Sequence, residues 1–200
     1  VRIPAAFCGN AGLRPTTDRY PAGGVVPISH SRDTAGPMAR SVADVRLLDS
    51  ILAGRNGAPP ALPNLKDIRI GVPRAHFFDA LDGSVSVGAE ATLERLKSYG
   101  VTLVEADIPD VEAVHKAGNF PVLLYEAVVD LNAYLAANET GLDFAAVVAE
   151  VGSPDVRQIL EPLLGDGAID EASYREALTV HRPHLQEIYA TYFAEQRVDA

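Results

Sequence analysis

Residues of the types needed for catalysis or metal binding occur at two places in this sequence. Ser29, His30 and Asp33 lie close together in one stretch and supply the hydroxyl, imidazole and carboxylate of a hydrolase triad. Neighbouring residues in a loop rarely point toward one another, so a triad made of these three is the weaker interpretation. His181 and His184 stand three residues apart on a predicted helix, a spacing that can place two imidazoles on one face. No third ligand with a fitting spacing accompanies them, so we predict a solvated pair and no metal site.

The single cysteine is the remaining candidate nucleophile. Cys8 has no second cysteine to pair with, which excludes an intrachain disulfide. It lies among Ala, Phe and Gly with no His or Lys nearby, so we predict a small buried hydrophobic residue. Sequence motifs typical of nucleotide-binding loops, zinc proteases and esterases are absent, and no cofactor is expected.

Composition limits the class of protein and its partners. The chain has 200 residues, of which 48% are hydrophobic, enough for a sizeable core. Its formal charge is −10 and no stretch gathers five basic residues, so neither nucleic acid nor a membrane is an expected partner. No apolar run is expected to span a bilayer, and we predict a cytoplasmic location.

The elements that must position such residues begin after an irregular segment. Residues 1–40 are rich in Gly, Pro, Ala and Thr and show no helical period. Residues 41–54 predict a helix that starts at a serine cap and stops at a glycine. A strand over 68–72, a helix over 84–100 and a strand over 101–108 follow. This order favours a right-handed crossover between parallel strands.

The rest of the chain is predicted to be helical. Apolar patterns predict helices over 121–137, 153–164 and 170–196, the last kinked by Pro183. A surface loop is predicted over 55–65 from its composition. The fold class is therefore α/β, followed by an all-helical section.

The first segment also carries the most specific pattern of the chain. Its residue types and spacings over 1–54 resemble the amidase signature family of hydrolases. The matching positions are Val1, Arg2, Ile3, Pro4, Ala5, Gly9, Gly12, Leu13, Pro15, Thr16, Asp33, Thr34, Gly36, Pro37, Met38 and Arg40. In that family the signature reads Gly-Gly-Ser, then Ile or Val, Arg, any residue, Pro and a small residue. By this resemblance Val1 directly follows the serine.

The resemblance implies which catalytic groups lie outside this chain. The family's nucleophile is the serine before Val1, activated by an upstream neutral lysine through a second serine held by a non-proline cis peptide. Backbone N–H groups of the glycine-rich run before the nucleophile form the oxyanion hole. No catalytic residue is then expected within the chain, and the chain alone is expected to be inactive.

The same resemblance implies a partial single domain over residues 1–200. Residues 1–110 would belong to a mixed β-sheet between helices, and 111–200 would form a helical part on the substrate side. The remainder of the same polypeptide is therefore an expected partner. A homodimer is left open.

Three residues are predicted to support the active site without acting in catalysis. Arg2 is expected to anchor the loop after the nucleophile through a buried ion pair or contacts to carbonyl groups, with Asp33 or Asp44 as the partner of the pair. Cys8 and Asp33 are the other two supporting residues.

Two stretches, 14–41 and 119–135, look most like the indoleacetamide and mandelamide hydrolase branch of the family. This likeness implies a small-molecule amide substrate of the arylacetamide type. It also implies that Phe120 and Tyr125 line the acyl pocket, although ordinary core packing is the alternative for both.

Three other interpretations stay open. The first is the amidase subunit of a tRNA-linked amidotransferase, and the second is a non-catalytic binding or scaffold module with the same fold. A serine before Val1 favours an enzyme, and any other residue there favours the module. The third is a hydrolase that uses Ser29, His30 and Asp33.

Overall fold

Long helices and very short strands make up the chain in a computed structural model that describes residues 1–55 and 61–200. Backbone contacts divide it into two units, the described residues of 1–60 with 122–171, and residues 61–121 with 172–200. The expected division at residue 110 stays a prediction. The loop predicted over 55–65 lies partly outside the described residues.

The first unit begins with a short helix and a two-residue β-ladder. Helix α1 spans Arg2–Phe7, where no helix was predicted, because six residues are too few to show a period. Strand β1 (Ala11–Gly12) pairs antiparallel with β2 (Met38–Ala39). The intervening residues are mostly turns and irregular backbone, as the composition predicted.

Helix α2 spans Val42–Leu52 and confirms the helix predicted from its cap. The Ser41 hydroxyl oxygen accepts the N–H of Asp44 at 3.1 Å, which satisfies one of the free donors of the first turn. Asp49 on this helix is hydrogen-bonded to two residues of the preceding irregular segment. Its carboxylate accepts two bonds from the Arg19 guanidinium and one from the Tyr20 hydroxyl, all at 2.6 Å.

The core of the first unit lies between its helices. Helix α4 spans Val111–Ala137, and its part from residue 122 onward belongs to this unit. Helices α5 (Phe144–Ala149) and α6 (Pro154–Leu160) follow it. The buried residues of this cluster are Phe144, Val148 and Leu163, with Leu124, Val128, Leu131 and Leu160 partly buried around them.

Helix α4 departs from the sequence expectations in two ways. It starts ten residues before Pro121, where the helix was predicted to begin, and continues through that proline. Its most apolar 18 residues have a mean hydropathy of 1.3, so α4 meets the length and composition of a membrane span, contrary to the expectation of no such run. The core helix of a globular domain meets the same test, and 28% of that window is buried.

The second unit contains the predicted parallel crossover. Strand β3 (Arg69–Gly71) pairs parallel with β4 (Thr102–Val104), and α3 (Gly83–Ser98) connects them. The chain's last residues lie along β3, because the Gly71 N–H donates to the Ala200 carbonyl at 2.7 Å. After β4 the described elements are all helical, as predicted.

The predicted kink at Pro183 takes the form of a π-helical turn. Helix α7 spans Glu171–Glu176, the π turn spans Ala177–His181, and α8 spans Arg182–Gln196. Proline lacks an N–H and its ring crowds the carbonyl four residues back, so the helix widens there.

Tyr192 of α8 fills the core of the second unit beneath β3. It packs with Ile108, Val111 and Val198, and its hydroxyl donates to the Ala106 carbonyl at 3.1 Å. Burial, with the nearby charges of Asp107 and Glu105, raises the pKa of this phenol.

We expect Gly71→Ala to destabilise the protein by about 1–3 kcal/mol, because the new methyl group would overlap the Tyr192 ring. Urea unfolding measures the change. Gly88→Ala in exposed α3 is the matched control, since no atom lies within 4 Å of its added carbon. The free energy of unfolding of that variant should rise by about 0.5–1 kcal/mol, because alanine favours a helix more than glycine does. Equal losses in both variants would contradict the packing described here.

We expect Asp49→Asn to lower the melting temperature at neutral pH, with a difference from wild type that narrows in acid. Hydrogen bonds from Arg19 and then Tyr20 lower the pKa of Asp49 below 3.8. The charged carboxylate therefore stabilises the fold above pH 3.8, and this stability is lost as the pH falls through the lower, native pKa. Thermal melts across the acidic range test this, and a constant difference would refute it.

Candidate functional site

The first residue of the signature-like segment sits between two glycines. A side-chain carbon added at Gly12 would lie 2.8 Å from Ala5 Cβ and 3.3 Å from Val1 Cγ1. One added at Gly36 would overlap the Leu13 carbonyl and come within 2.8 Å of Val1 Cγ2. Neither position has room for a larger residue unless its neighbours move, which are side chains at Gly12 and the Leu13 backbone with the Val1 side chain at Gly36. The two glycines therefore fix the place of Val1, and we call this arrangement the Val1 seat.

Hydrogen bonds hold the two sides of the Val1 seat together. The Leu13 N–H donates to the Pro37 carbonyl at 3.1 Å, next to the β1–β2 ladder. On the other side the Ala5 N–H donates to the Val1 carbonyl at 2.9 Å and begins α1. These bonds hold the residues on each side of Val1 in place.

Asp33 supports the loop that leads into Gly36. Its Oδ2 accepts the N–H of Ile28 at 2.7 Å and that of Ser29 at 2.9 Å. The Ser29 carbonyl in turn accepts the N–H groups of Arg32 and Asp33 at 3.0 and 2.8 Å. Residues 28–33 therefore form a closed turn, which we call the serine loop.

The serine loop is attached to α4 by a buried carboxylate. Glu126 is 1% exposed and Ser29 is fully buried. Glu126 Oε2 accepts the Ser29 hydroxyl at 2.5 Å, the Ser31 hydroxyl at 2.9 Å and the Ser31 N–H at 3.2 Å. Three donors on one oxygen offset the cost of removing the charge from water.

Asp130, one helical turn after Glu126, makes the second attachment. Its Oδ2 accepts the backbone N–H of His30 at 2.6 Å, and the His30 Nδ1 lies 3.0 Å from both of its oxygens. The His30 Nε2 lies 3.5 Å from Glu126 Oε1.

These three side chains form the group with the ligand types of a metal site. Atoms of His30, Glu126 and Asp130 lie within 4.8 Å of one another. However, both imidazole nitrogens already face carboxylates, and one oxygen of each acid already accepts backbone or hydroxyl donors. The arrangement is that of a hydrogen-bonded clamp between the serine loop and α4.

The triad considered for Ser29, His30 and Asp33 is wrong. The Ser29 hydroxyl donates to Glu126, the His30 ring contacts Asp130 and Glu126, and Asp33 accepts backbone N–H groups. Ser29 and His30 are therefore engaged with acids of α4 and Asp33 with its own loop. In addition, a fully buried serine offers no nucleophile to a substrate.

The burial expected for Arg2 and Cys8 is not seen within this chain, and their supporting role stays a prediction. Both residues are exposed in α1 or at its end, as are Ile3 (71%) and Phe7 (89%). A helix of six residues anchored through Ala5 and Val1 leaves its other faces on the surface of this chain. Asp33, one of the expected partners of Arg2, instead accepts N–H groups of its own loop.

The remaining candidates lie elsewhere. Phe120 is 52% exposed and Tyr125 is half-buried, and their proposed contact with substrate stays a prediction. His181 and His184 contact different acids, Glu176 at 4.0 Å and Glu187 at 3.8 Å.

Sequence reasoning missed Glu126 and Asp130. The available signal was two acids spaced four residues apart within an otherwise apolar helix. Such acids are expensive to bury, so each required a partner elsewhere in the chain.

Comparison with known proteins shows the family of this chain. The family model described as Amidase matches residues 1–200, so the chain belongs to the amidase family. It is 42% identical over 200 residues to an indoleacetamide hydrolase of Agrobacterium vitis, a match that covers 100% of this chain and 43% of that protein. It is 38% identical over 209 residues to a mandelamide hydrolase of Pseudomonas putida, covering 100% and 41%.

A solved structure extends this likeness to three dimensions. The crystal structure of an amidase matches with a TM-score of 0.72 and 29% identity, over 95% of this chain and 39% of that chain. The predicted family, branch and fold class are confirmed. The chain spans less than half the length of these relatives.

We expect Gly36→Ala to destabilise the protein by about 1–3 kcal/mol, because the backbone must move away from Leu13 and Val1. Thermal or urea unfolding measures the loss. Gly23→Ala is the control in the same irregular segment, because no atom lies within 4 Å of its added carbon. A Gly36 variant as stable as the Gly23 variant would show that the Val1 seat is not tightly packed.

Proposed function

We propose that the protein containing this chain is an amidase that hydrolyses arylacetamides to the acid and ammonia. The observation that carries this proposal is the likeness over all 200 residues to hydrolases named for indoleacetamide and mandelamide. The Val1 seat supports it, because it fixes the residue that the family signature places directly after the nucleophile.

In the proposed mechanism the serine before Val1 attacks the amide carbonyl carbon. Its proton passes through the second serine to the neutral lysine, and the tetrahedral oxyanion is held by backbone N–H groups. The C–N bond then breaks as the lysine returns this proton through the second serine to the leaving nitrogen, which departs as ammonia. Water attacks the acyl-enzyme by the same route in reverse and releases the carboxylic acid and the serine.

The described residues contribute positioning to this mechanism. The Val1 seat would hold the nucleophile's neighbour, and the serine loop would hold the Gly36 side of that seat. Phe120 and Tyr125 are proposed to contact the aryl group. We propose a cytoplasmic location for the protein. The proposed reaction requires no cofactor, and neither nucleic acid nor a membrane is a proposed partner.

The full-length gene product tests this proposal. It should release ammonia from indole-3-acetamide and mandelamide, and a serine-directed fluorophosphonate should label the residue immediately before Val1. Replacing that residue with alanine should lower kcat by at least about 10³-fold and abolish labelling.

Two results would refute the proposal. One is the absence of ammonia release from every amide tested, and the other is a label on Ser29 or Ser31. Gly23→Ala is the control in the same segment and should keep both ammonia release and labelling, because no atom lies within 4 Å of its added carbon.

A further inference from the structure

Glu126 is the buried charged residue for which the proposed mechanism has no role. At 1% exposure it is the largest of the fully buried side chains in the described part of the chain. An acid in such a place is costly unless it is well paired, and removal of one partner leaves the other buried group unsatisfied.

Glu126 holds the serine loop through hydrogen bonds to one of its oxygens. The same oxygen accepts the hydroxyls of Ser29 and Ser31 and the backbone N–H of Ser31, at 2.5, 2.9 and 3.2 Å. These donors lie 95 and 97 residues away in sequence, so the bonds attach a distant loop to a helix. Asp130 repeats the attachment one turn later through the His30 N–H at 2.6 Å.

The serine loop is mechanically continuous with the Val1 seat. Asp33 closes the loop, and Gly36 follows it after two residues. Gly36 packs on Val1 and on the Leu13 carbonyl so closely that an added carbon has no room. We therefore expect a displacement of the loop to reach Val1 through Gly36.

We propose that Glu126 is a positioning residue for the amidase reaction, which sets the place of the nucleophile through the serine loop and the Val1 seat. This inference rests on the proposed function. Glu126 itself touches no reacting atom. It acts by keeping the hydroxyl before Val1 aligned with the carbonyl carbon and the oxyanion hole.

The test compares variants of the full-length gene product with indole-3-acetamide as substrate. Glu126→Ala should lower kcat by about 10²-fold, the loss typical of a misplacement near 1 Å, while KM changes little. Glu126→Gln keeps an oxygen acceptor for the Ser31 N–H and should recover kcat to within about tenfold of wild type. The rate of fluorophosphonate labelling should fall in parallel with kcat.

Val148→Ala is the matched control for lost stability. Val148 is 2% exposed in the separate cluster with Phe144 and Leu163. This variant should unfold at a lower temperature while the folded enzyme keeps its kcat. If Glu126→Ala does not fold, Ser31→Ala replaces it. This variant removes one donor from the other side of the same contact, so a smaller loss of kcat is expected.

The outcomes separate the two proposals. If the wild type hydrolyses amides and Glu126→Ala or Ser31→Ala keeps kcat as Val148→Ala does, the positioning role is refuted and the amidase proposal stands. A rise of KM with unchanged kcat would likewise refute it, because the loss would then lie in substrate binding. If the wild type hydrolyses no amide and is not labelled, the amidase proposal fails and the positioning role falls with it.

Discussion

The burial of one carboxylate constrains much of the first unit. Glu126 sits on an apolar helix where water is excluded, so the fold must bring donors to it. It does so with the hydroxyls and backbone of a loop nearly one hundred residues earlier in the chain. These hydrogen bonds fix the position of an irregular segment, rich in glycine and proline, that has little regular β-sheet pairing.

Close packing around two glycines also restricts the position of Val1. The regular pairing between β1 and β2 is only two residues long and would not hold the segment by itself. Gly12 and Gly36 instead let the Val1 side chain lie close against the backbone at both positions. Close packing of this kind leaves little room for Val1 to shift. In our proposal the segment supports the chemistry and supplies no reacting group.

The sequence revealed the elements with strong local signals. Three features that depend only on short stretches of sequence were confirmed. They are the cap at Ser41, the strand–helix–strand order that ends at β4, and the distortion before Pro183. The short helix α1 and the early start of α4 were missed. Six residues carry no measurable period, and a proline inside a long apolar helix looks like a helix start.

For the candidate site, the sequence by itself determined the family, because many residue types at fixed spacing over residues 1–54 leave little room for chance. It did not determine what each polar side chain does. Ser29, His30 and Asp33 looked like a triad because they are neighbours in sequence, yet their partners lie in two different places. Only the tertiary structure decided this, because a hydrogen bond depends on which distant element arrives beside a residue. Glu126 and Asp130 on α4 are that element for the serine loop.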